Sequence, residues 1–134
     1  MNRLLVLLLA VLIAGCADLP RQPRRCAWVT GLKPEKAARY KQLHADPWPS
    51  ISRMLKECHI QNFSIHIKEI DGRQYLFAYL EHTGDDFDGD MKKMAADPET
   101  QRWWKETDPC QMPLPDAAAK GKIWSDMEEV YFLR

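Results

Sequence analysis

Apolar and polar residues alternate along one stretch in the middle of the chain, and a second candidate strand follows it. Residues 62–68 (NFSIHIK) place an apolar side chain at every second position, and residues 75–81 (YLFAYLE) follow after Asp71-Gly72. A period of two is typical of a half-buried strand, and Asp-Gly is a preferred two-residue hairpin turn. The pattern therefore predicts a β-hairpin.

A helical period precedes this hairpin. Pro34 opens the helical stretch, since proline suits the first position of a helix, and Pro47 and Pro49 then interrupt it. Steps of three and four resume afterwards and define one buried stripe. The sequence therefore predicts a helix that is kinked or restarted at the prolines. The stripe consists of Trp48, Ile51, Leu55 and Cys58.

The remaining elements complete an alternating order. Residues 26–32 are expected to form a first strand, and an acidic lead, 85–90, introduces a helical segment over 91–96. Asp97-Pro98 predicts a cap and a restart of that helix, and 129–133 a last strand. The order β-α-β-β-α-β is that of the ferredoxin-like α+β fold. Because its helices cover one sheet face, we expect two protomers to pack their sheets together as a dimeric α+β barrel, and a small-molecule pocket between sheet and loops.

Composition and charge limit the classes of protein. A chain of 134 residues with 46% hydrophobic residues has room for one domain and not for two. Lys plus Arg and Asp plus Glu number 19 each, so the formal net charge is zero. No basic surface is expected, and nucleic acid is not an expected partner.

The N-terminus resembles an export signal. Residues 4–14 form an apolar run too short to span a membrane as a mature helix, and the run ends in LIAGC, which resembles a bacterial lipobox. We therefore expect a lipoprotein signal peptide over 1–15, a lipid anchor on Cys16, a polar tether over 16–25 and a domain over 26–134. This predicts a location in the bacterial cell envelope, attached to the membrane by lipid. A buried N-terminal helix with an incidental cysteine is the alternative.

No metal or cofactor is expected. If Cys16 is acylated, Cys26, Cys58 and Cys110 can form at most one disulfide, and buried free thiols are the favoured interpretation. No C-x-x-C spacing and no Cys/His grouping indicates zinc. The DDFDGD run at 85–90 lacks the glycine and glutamate positions of a calcium loop, so we interpret it as a solvated lead into a helix.

Two pairs of residues are candidates for chemistry. Tyr40 and His44 are four positions apart and so share a helix face, where a histidine can give or take a proton and a tyrosine can position a hydroxyl group. Trp103 and Trp104 point in different directions, so one of them can face a pocket and stack on a sugar. Structural roles remain open: His44 as an ordinary helix residue, and the tryptophans as one core residue and one interface residue.

These residues resemble the L-rhamnose mutarotase family. The resemblance rests on RYKQLHADPWPSI, NFSIHI, LFAYLE, DPETQRWWKETDPCQMPLP and the terminal MEEVYFLR, and it runs from about Trp28 to the C-terminus. It implies a dimeric ferredoxin-like barrel, no cofactor, and interconversion of the α and β anomers of a deoxyhexose pyranose, with L-rhamnose as the first choice. The familiar members are cytoplasmic, so the export signal is a departure from the family.

The resemblance also implies roles for five residues. His44 matches the catalytic proton donor, and Tyr40, Trp103 and Trp104 match residues that bind the monosaccharide. A further substrate tyrosine of the family falls at Phe63, which lacks the hydroxyl and leaves the sugar open. Two other classes remain: a non-catalytic sugar-binding lipoprotein, and, by analogy of fold alone, a cofactor-free oxygenase or haem-handling enzyme.

Overall fold

A five-stranded antiparallel sheet organises the protein, whose computed structural model describes residues 21–134. The strands are β1 (Arg24–Leu32), β2 (Ile60–Ile70), β3 (Arg73–His82), β4 (Gln111–Met112) and β5 (Ser125–Asp126). Their order in the sheet is β2-β3-β1-β4, and β5 also pairs with β1. This order, with helices inserted between β1 and β2 and between β3 and β4, confirms the predicted ferredoxin-like α+β fold.

The helices confirm the predicted break at the prolines. A 3-10 turn at Pro34–Lys36 leads into the first helix, which ends at Ala45, and Pro49 occupies the first turn of the second. Proline lacks a backbone N–H and disfavours helical geometry in the residue before it, so the chain must leave the helix between them. The helices are α1 (Ala37–Ala45), α2 (Pro49–Glu57), α3 (Phe87–Ala96), α4 (Pro98–Thr107) and α5 (Pro115–Ala118).

The central hairpin is confirmed, and its turn explains its register. Asp71 and Gly72 have φ angles of 50° and 73°. Two successive positive φ angles define the turn type whose twist matches that of the flanking strands. Ile70 therefore pairs with Arg73, and β2 and β3 face each other over nearly their whole length.

The core lies between the helices and one face of the sheet. Alternate residues of β3, namely Leu76, Ala78 and Leu80, are buried on this face, whereas Tyr75 and Phe77 lie on the opposite face and are half-buried. Cys26, Cys58 and Cys110 are all free thiols, as the sequence favoured. The three buried clusters are Leu32, Tyr40, Leu76 and Cys110; Leu43, Ile51 and Trp103; and Cys58, Ile60 and Leu80.

The predicted last strand at 129–133 is wrong. Two short strands, β4 and β5, both pair with β1 and together occupy that edge of the sheet. Residues 127–134 have no regular secondary structure. Glu129 accepts two hydrogen bonds of 2.6 Å from the Arg25 guanidinium, which also lies 3.6 Å from the centre of the Phe132 ring. The edge of β1 that a further strand would need is already paired with β4 and β5.

Two element boundaries also differ from the prediction. β1 begins at Arg24, inside the segment expected to be a tether, and α3 begins at Phe87, inside the acidic lead. The predicted signal peptide over 1–15, the lipid anchor on Cys16 and the tether as far as residue 20 lie outside the described residues. Across 21–134, no helix has the length and apolar character that crossing a bilayer requires.

Candidate active site

One large cavity lies between the helices and the sheet face that they cover. Its volume is about 770 Å³, and its walls come from β1, β2, β3 and from the helices α1 to α4. The structure brings together here all five residues that the sequence singled out. They are Tyr40, His44, Phe63, Trp103 and Trp104.

The His44 imidazole is held by its own helix. Its Nδ1 lies 2.9 Å from the backbone carbonyl oxygen of Tyr40, one turn earlier in α1. A carbonyl can only accept, so Nδ1 carries the proton, and Nε2 of the neutral ring is left as an acceptor. Burial lowers the pKa of His44 below its ordinary value, more than the bond to Tyr40 raises it. The ring is therefore neutral near pH 7 and offers a basic nitrogen.

The Tyr40 ring stacks against the imidazole. The two ring centres are 4.1 Å apart with an interplanar angle of 27°. The Tyr40 hydroxyl is buried and accepts a hydrogen bond from the Gln111 side-chain amide at 3.5 Å. Burial is the main reason why the pKa of Tyr40 is raised to about 12. Tyr40 therefore stays protonated and keeps its own O–H proton available to donate.

The two neighbouring tryptophans have different positions, as their helical geometry requires. Trp103 is 6% exposed and packs edge-on against both His44 and Trp48, with ring centres 5.3 Å apart in each pair. Trp104 also lines the cavity but is 37% exposed. Trp103 therefore supports the imidazole from within the core, and Trp104 presents an open aromatic face to a ligand.

The helix that carries both tryptophans is fixed at its start. Asp97 caps α4, because its Oδ2 accepts from the backbone N–H of Thr100 at 2.7 Å and from the Thr100 hydroxyl at 2.9 Å. Pro98 follows in the first turn. The predicted Asp97-Pro98 cap and restart is thus confirmed, and it fixes the start of α4.

Phe63 reaches the cavity through an irregularity in β2. The pairing of β2 with β3 shifts between Gln61 and Ser64, and Asn62 has a φ of 50°. Such a bulge inserts an unpaired residue and redirects neighbouring side chains. Glu81 anchors it, since Oε2 accepts from the Gln61 and Asn62 side chains at 2.9 and 2.8 Å. These bonds lower the pKa of Glu81, which is therefore an anionic acceptor at neutral pH.

Two polar residues of the cavity escaped the sequence analysis. Gln111 is buried, and its Oε1 has no hydrogen-bond partner. Asp108 also lines the cavity, and burial raises the pKa of its carboxyl group. Both follow α4 in the stretch TDPCQ, where no spacing distinguishes them from ordinary turn residues. A buried acceptor without a partner, beside a tyrosine hydroxyl, suits a hydroxyl-bearing ligand.

This arrangement defines a small-molecule site with one basic nitrogen, one phenol and an aromatic wall. The sequence model of a family described as L-rhamnose mutarotase matches residues 25–133. The chain belongs to the L-rhamnose mutarotase family. It is 34% identical to a curated L-rhamnose mutarotase from Bacillus subtilis over 110 residues, 82% of this chain and 98% of that protein. A relative of the same name from Listeria monocytogenes is 31% identical, over 81% of this chain and 97% of its own.

A solved structure supports the fold independently. The crystal structure of an L-rhamnose mutarotase from Formosa agariphila superposes with a TM-score of 0.62, over 83% of this chain and 99% of that one, at 24% sequence identity. At this level of identity the similarity shows the fold alone.

The predicted location in the bacterial cell envelope is wrong. It rested on residues 4–14 and Cys16, whereas the family match covers residues 25–133 and a relative is matched over 98% of its length without that stretch. The sequence resemblance described above already implied a family whose familiar members are cytoplasmic. An apolar run followed by a cysteine is a short pattern, and it carries no information about the domain that follows it.

Proposed function

We propose that the protein is an aldose mutarotase that interconverts the α and β anomers of L-rhamnose. The family match and the names of the relatives support this activity. The observation that carries the proposal is His44, a neutral imidazole fixed through Nδ1 at a cavity wall that also holds a phenol and two indoles. Mutarotation needs an acid and a base but no redox chemistry, and the neutral His44 imidazole supplies the base.

The proton transfers follow from the tautomer of His44. Nε2 accepts the proton of the anomeric hydroxyl while the bond between the anomeric carbon and the ring oxygen breaks and the ring oxygen takes up a proton. The open-chain aldehyde rotates, and the ring then closes on its other face. The imidazolium gives its proton to the aldehyde oxygen, and the hydroxyl that becomes the ring oxygen returns its proton to the group that supplied it. The high pKa of Tyr40 favours a cavity water as the acid for the ring oxygen, with the Tyr40 hydroxyl as a hydrogen-bond donor.

Aromatic and polar groups of the cavity wall bind different parts of the sugar. Trp104 offers its face to the apolar C–H face of the sugar, and Gln111 offers an unpaired buried oxygen to a hydroxyl. Phe63 supplies an apolar surface where the family has a tyrosine. We therefore assign His44 to proton transfer, and Tyr40, Phe63, Trp103 and Trp104 to holding the monosaccharide and the imidazole.

Anomer-exchange NMR tests this proposal directly. When one anomeric proton of L-rhamnose is saturated at equilibrium, the saturation passes to the other anomer at the rate of anomer exchange. The same measurement without protein gives the uncatalysed rate. We expect the protein to accelerate exchange, with L-fucose as a comparison sugar. Binding of L-rhamnose seen by saturation-transfer NMR, without faster exchange, would show a non-catalytic sugar-binding protein instead.

We also propose that two copies of the chain form a homodimer through the outer face of the sheet. In the pairing of β1 with β3, Ala27 lies opposite Tyr79 and Val29 opposite Phe77. These four side chains lie on the face away from the helices and are only partly buried in a single chain. A half-exposed apolar sheet face favours association. Light scattering at micromolar concentration should give twice the chain mass of 15.6 kDa, and a monomer would refute it.

A further inference from the structure

Two histidine side chains outside the cavity converge on one carboxylate oxygen. Oδ2 of Asp90 lies 2.7 Å from Nδ1 of His59 and 2.7 Å from Nε2 of His82. The His82 side chain is 2% exposed, that of Asp90 15% and that of His59 54%. The cluster of these three residues is therefore buried at His82 and accessible to solvent at His59. The sugar mechanism uses none of these residues.

Each of the three residues sits on a different element, and the local backbone is adapted to the cluster. His59 follows α2, His82 ends β3, and Asp90 lies in the first turn of α3. His59 has a φ of 56°, a left-handed conformation that is uncommon for a residue other than glycine. Its carbonyl oxygen accepts from the backbone N–H of Thr83 at 3.0 Å, which fixes this conformation against the end of β3. Strained positions of this kind concentrate at functional sites.

The loop after β3 passes close over the cluster. A Cβ atom at Gly84 would lie 2.8 Å from Nδ1 of His59 and 2.9 Å from Oδ2 of Asp90. Any side chain there would displace the two groups, so glycine is required for this approach. The backbone at Gly84 thus packs directly against His59 and Asp90, while the His82 side chain is buried and that of His59 is exposed.

The donor atoms suit a divalent transition-metal ion. Two imidazole nitrogens and one carboxylate oxygen lie within 4.8 Å of one another. Zinc binds such ligands at about 2.0–2.2 Å, and tetrahedral geometry then places the ligand atoms about 3.3 Å apart. Each imidazole nitrogen lies 2.7 Å from Oδ2 of Asp90, which is a hydrogen-bond distance, so metal binding requires each nitrogen to move about 0.6 Å away from that oxygen and the imidazoles to give up the bridging protons. The two nitrogens lie within 4.8 Å of each other, so both side chains must also reorient around the ion.

We propose that His59, His82 and Asp90 bind one zinc ion, with water in the fourth position, and that the ion ties α3 to the sheet. In the sequence, Asp90 is 31 positions from His59 and 8 positions from His82, so the three residues form no recognisable metal-binding motif. Met91 and Met94 follow Asp90 in α3 and line the sugar cavity. The ion therefore braces a wall of that cavity from outside and takes no part in the proton transfers.

Cobalt titration of the chelator-treated protein tests the site. We expect one equivalent of Co²⁺ to bind with the intense visible absorption of tetrahedral coordination, and Zn²⁺ to displace it. His59→Asn retains a residue that tolerates a left-handed backbone, and Asp90→Asn retains the shape of the side chain. Each should lower the cobalt affinity at least about tenfold. His66→Asn, on an exposed part of β2, is the matched control and should leave it unchanged.

Thermal unfolding gives a second readout that does not depend on the spectrum. Saturating Zn²⁺ should raise the Tm of the wild type and of the His66 control, because the ion binds the folded state, and should not raise the Tm of His59→Asn. Circular dichroism confirms that each variant is folded before titration. Octahedral absorption, thiolate charge-transfer absorption that assigns the ion to a cysteine, or equal affinity in the wild type and both site variants would overturn the proposal.

Discussion

Replacement of His44 by glutamine separates proton transfer from the other contributions of this side chain. The glutamine amide can still donate to the Tyr40 carbonyl oxygen, which is the hydrogen bond that holds the imidazole at 2.9 Å. It cannot accept and return a proton near neutral pH. We expect the catalysed exchange rate for L-rhamnose to fall by about 10²–10³-fold, within the usual range for general acid–base catalysis. This corresponds to about 3–4 kcal/mol of transition-state stabilisation.

His44→Ala provides the comparison for packing. It removes the stack on Tyr40 and the edge contact with Trp103, with ring centres 4.1 and 5.3 Å away. Aromatic pairs contribute about 0.5–1.5 kcal/mol each, so alanine should lower the free energy of unfolding by about 1–3 kcal/mol, and glutamine by less. Added imidazole should restore part of the exchange activity of the alanine variant if the lost group is a base.

The assay is anomer-exchange NMR at fixed pH, with the uncatalysed rate subtracted and sugar binding measured separately by saturation transfer. We expect binding of L-rhamnose by His44→Gln to stay within a few-fold of the wild type, because the cavity walls are unchanged. Wild-type exchange in His44→Gln would refute the reasoning. The catalytic group would then lie elsewhere, with Asp108 as the next cavity residue to replace.

Three further predictions concern the same cavity. Burial lowers the pKa of His44 below 6.5, and the neutral ring is the active form. Catalysed exchange should therefore persist at pH 6.5 and fall only at lower pH. A profile of exchange rate against pH, corrected for uncatalysed exchange, measures this. Trp104→Ala should weaken sugar binding in saturation-transfer NMR with little change in Tm, because Trp104 is exposed. Trp103→Ala should lower the free energy of unfolding by about 3–5 kcal/mol in chemical denaturation, because Trp103 is a core residue. Phe63→Tyr adds a hydroxyl at the cavity and should change the ratio of exchange rates for L-rhamnose and L-fucose, while exchange of the better substrate stays within a few-fold.

The sequence predicted the features that depend on near neighbours. The Asp71-Gly72 turn, the helix break between Ala45 and Pro49 and the cap at Asp97 each follow from the backbone preferences of a few adjacent residues. His44 and Tyr40 were predicted to share a face because one helix carries both. Local chemistry was sufficient for each of these, so no knowledge of the tertiary structure was needed.

Features that depend on distant partners were missed or mistaken. The last strand was placed at 129–133, but the edge of β1 is already paired with β4 and β5. Asp90 was interpreted as part of a solvated lead, yet its carboxylate contacts two histidines. Gln111 was overlooked because only the fold brings its amide to the Tyr40 hydroxyl, 71 positions away. Pairing and burial of this kind leave no local periodicity.

The proline break connects the fold to the chemistry. Since α1 ends at Ala45, His44 lies in the last turn of the helix, where its Nδ1 bonds a carbonyl of its own helix and its ring remains at the cavity. The chain then turns, and Trp48 packs against Trp103, whose other contact is the imidazole. A helix continued through 46–48 would carry Trp48 away from this position. Sugars mutarotate unaided, so one imidazole held in a fixed tautomer and orientation is sufficient for a useful acceleration. The break places His44 at the end of its helix, and the contact with Trp103 holds the ring from the other side.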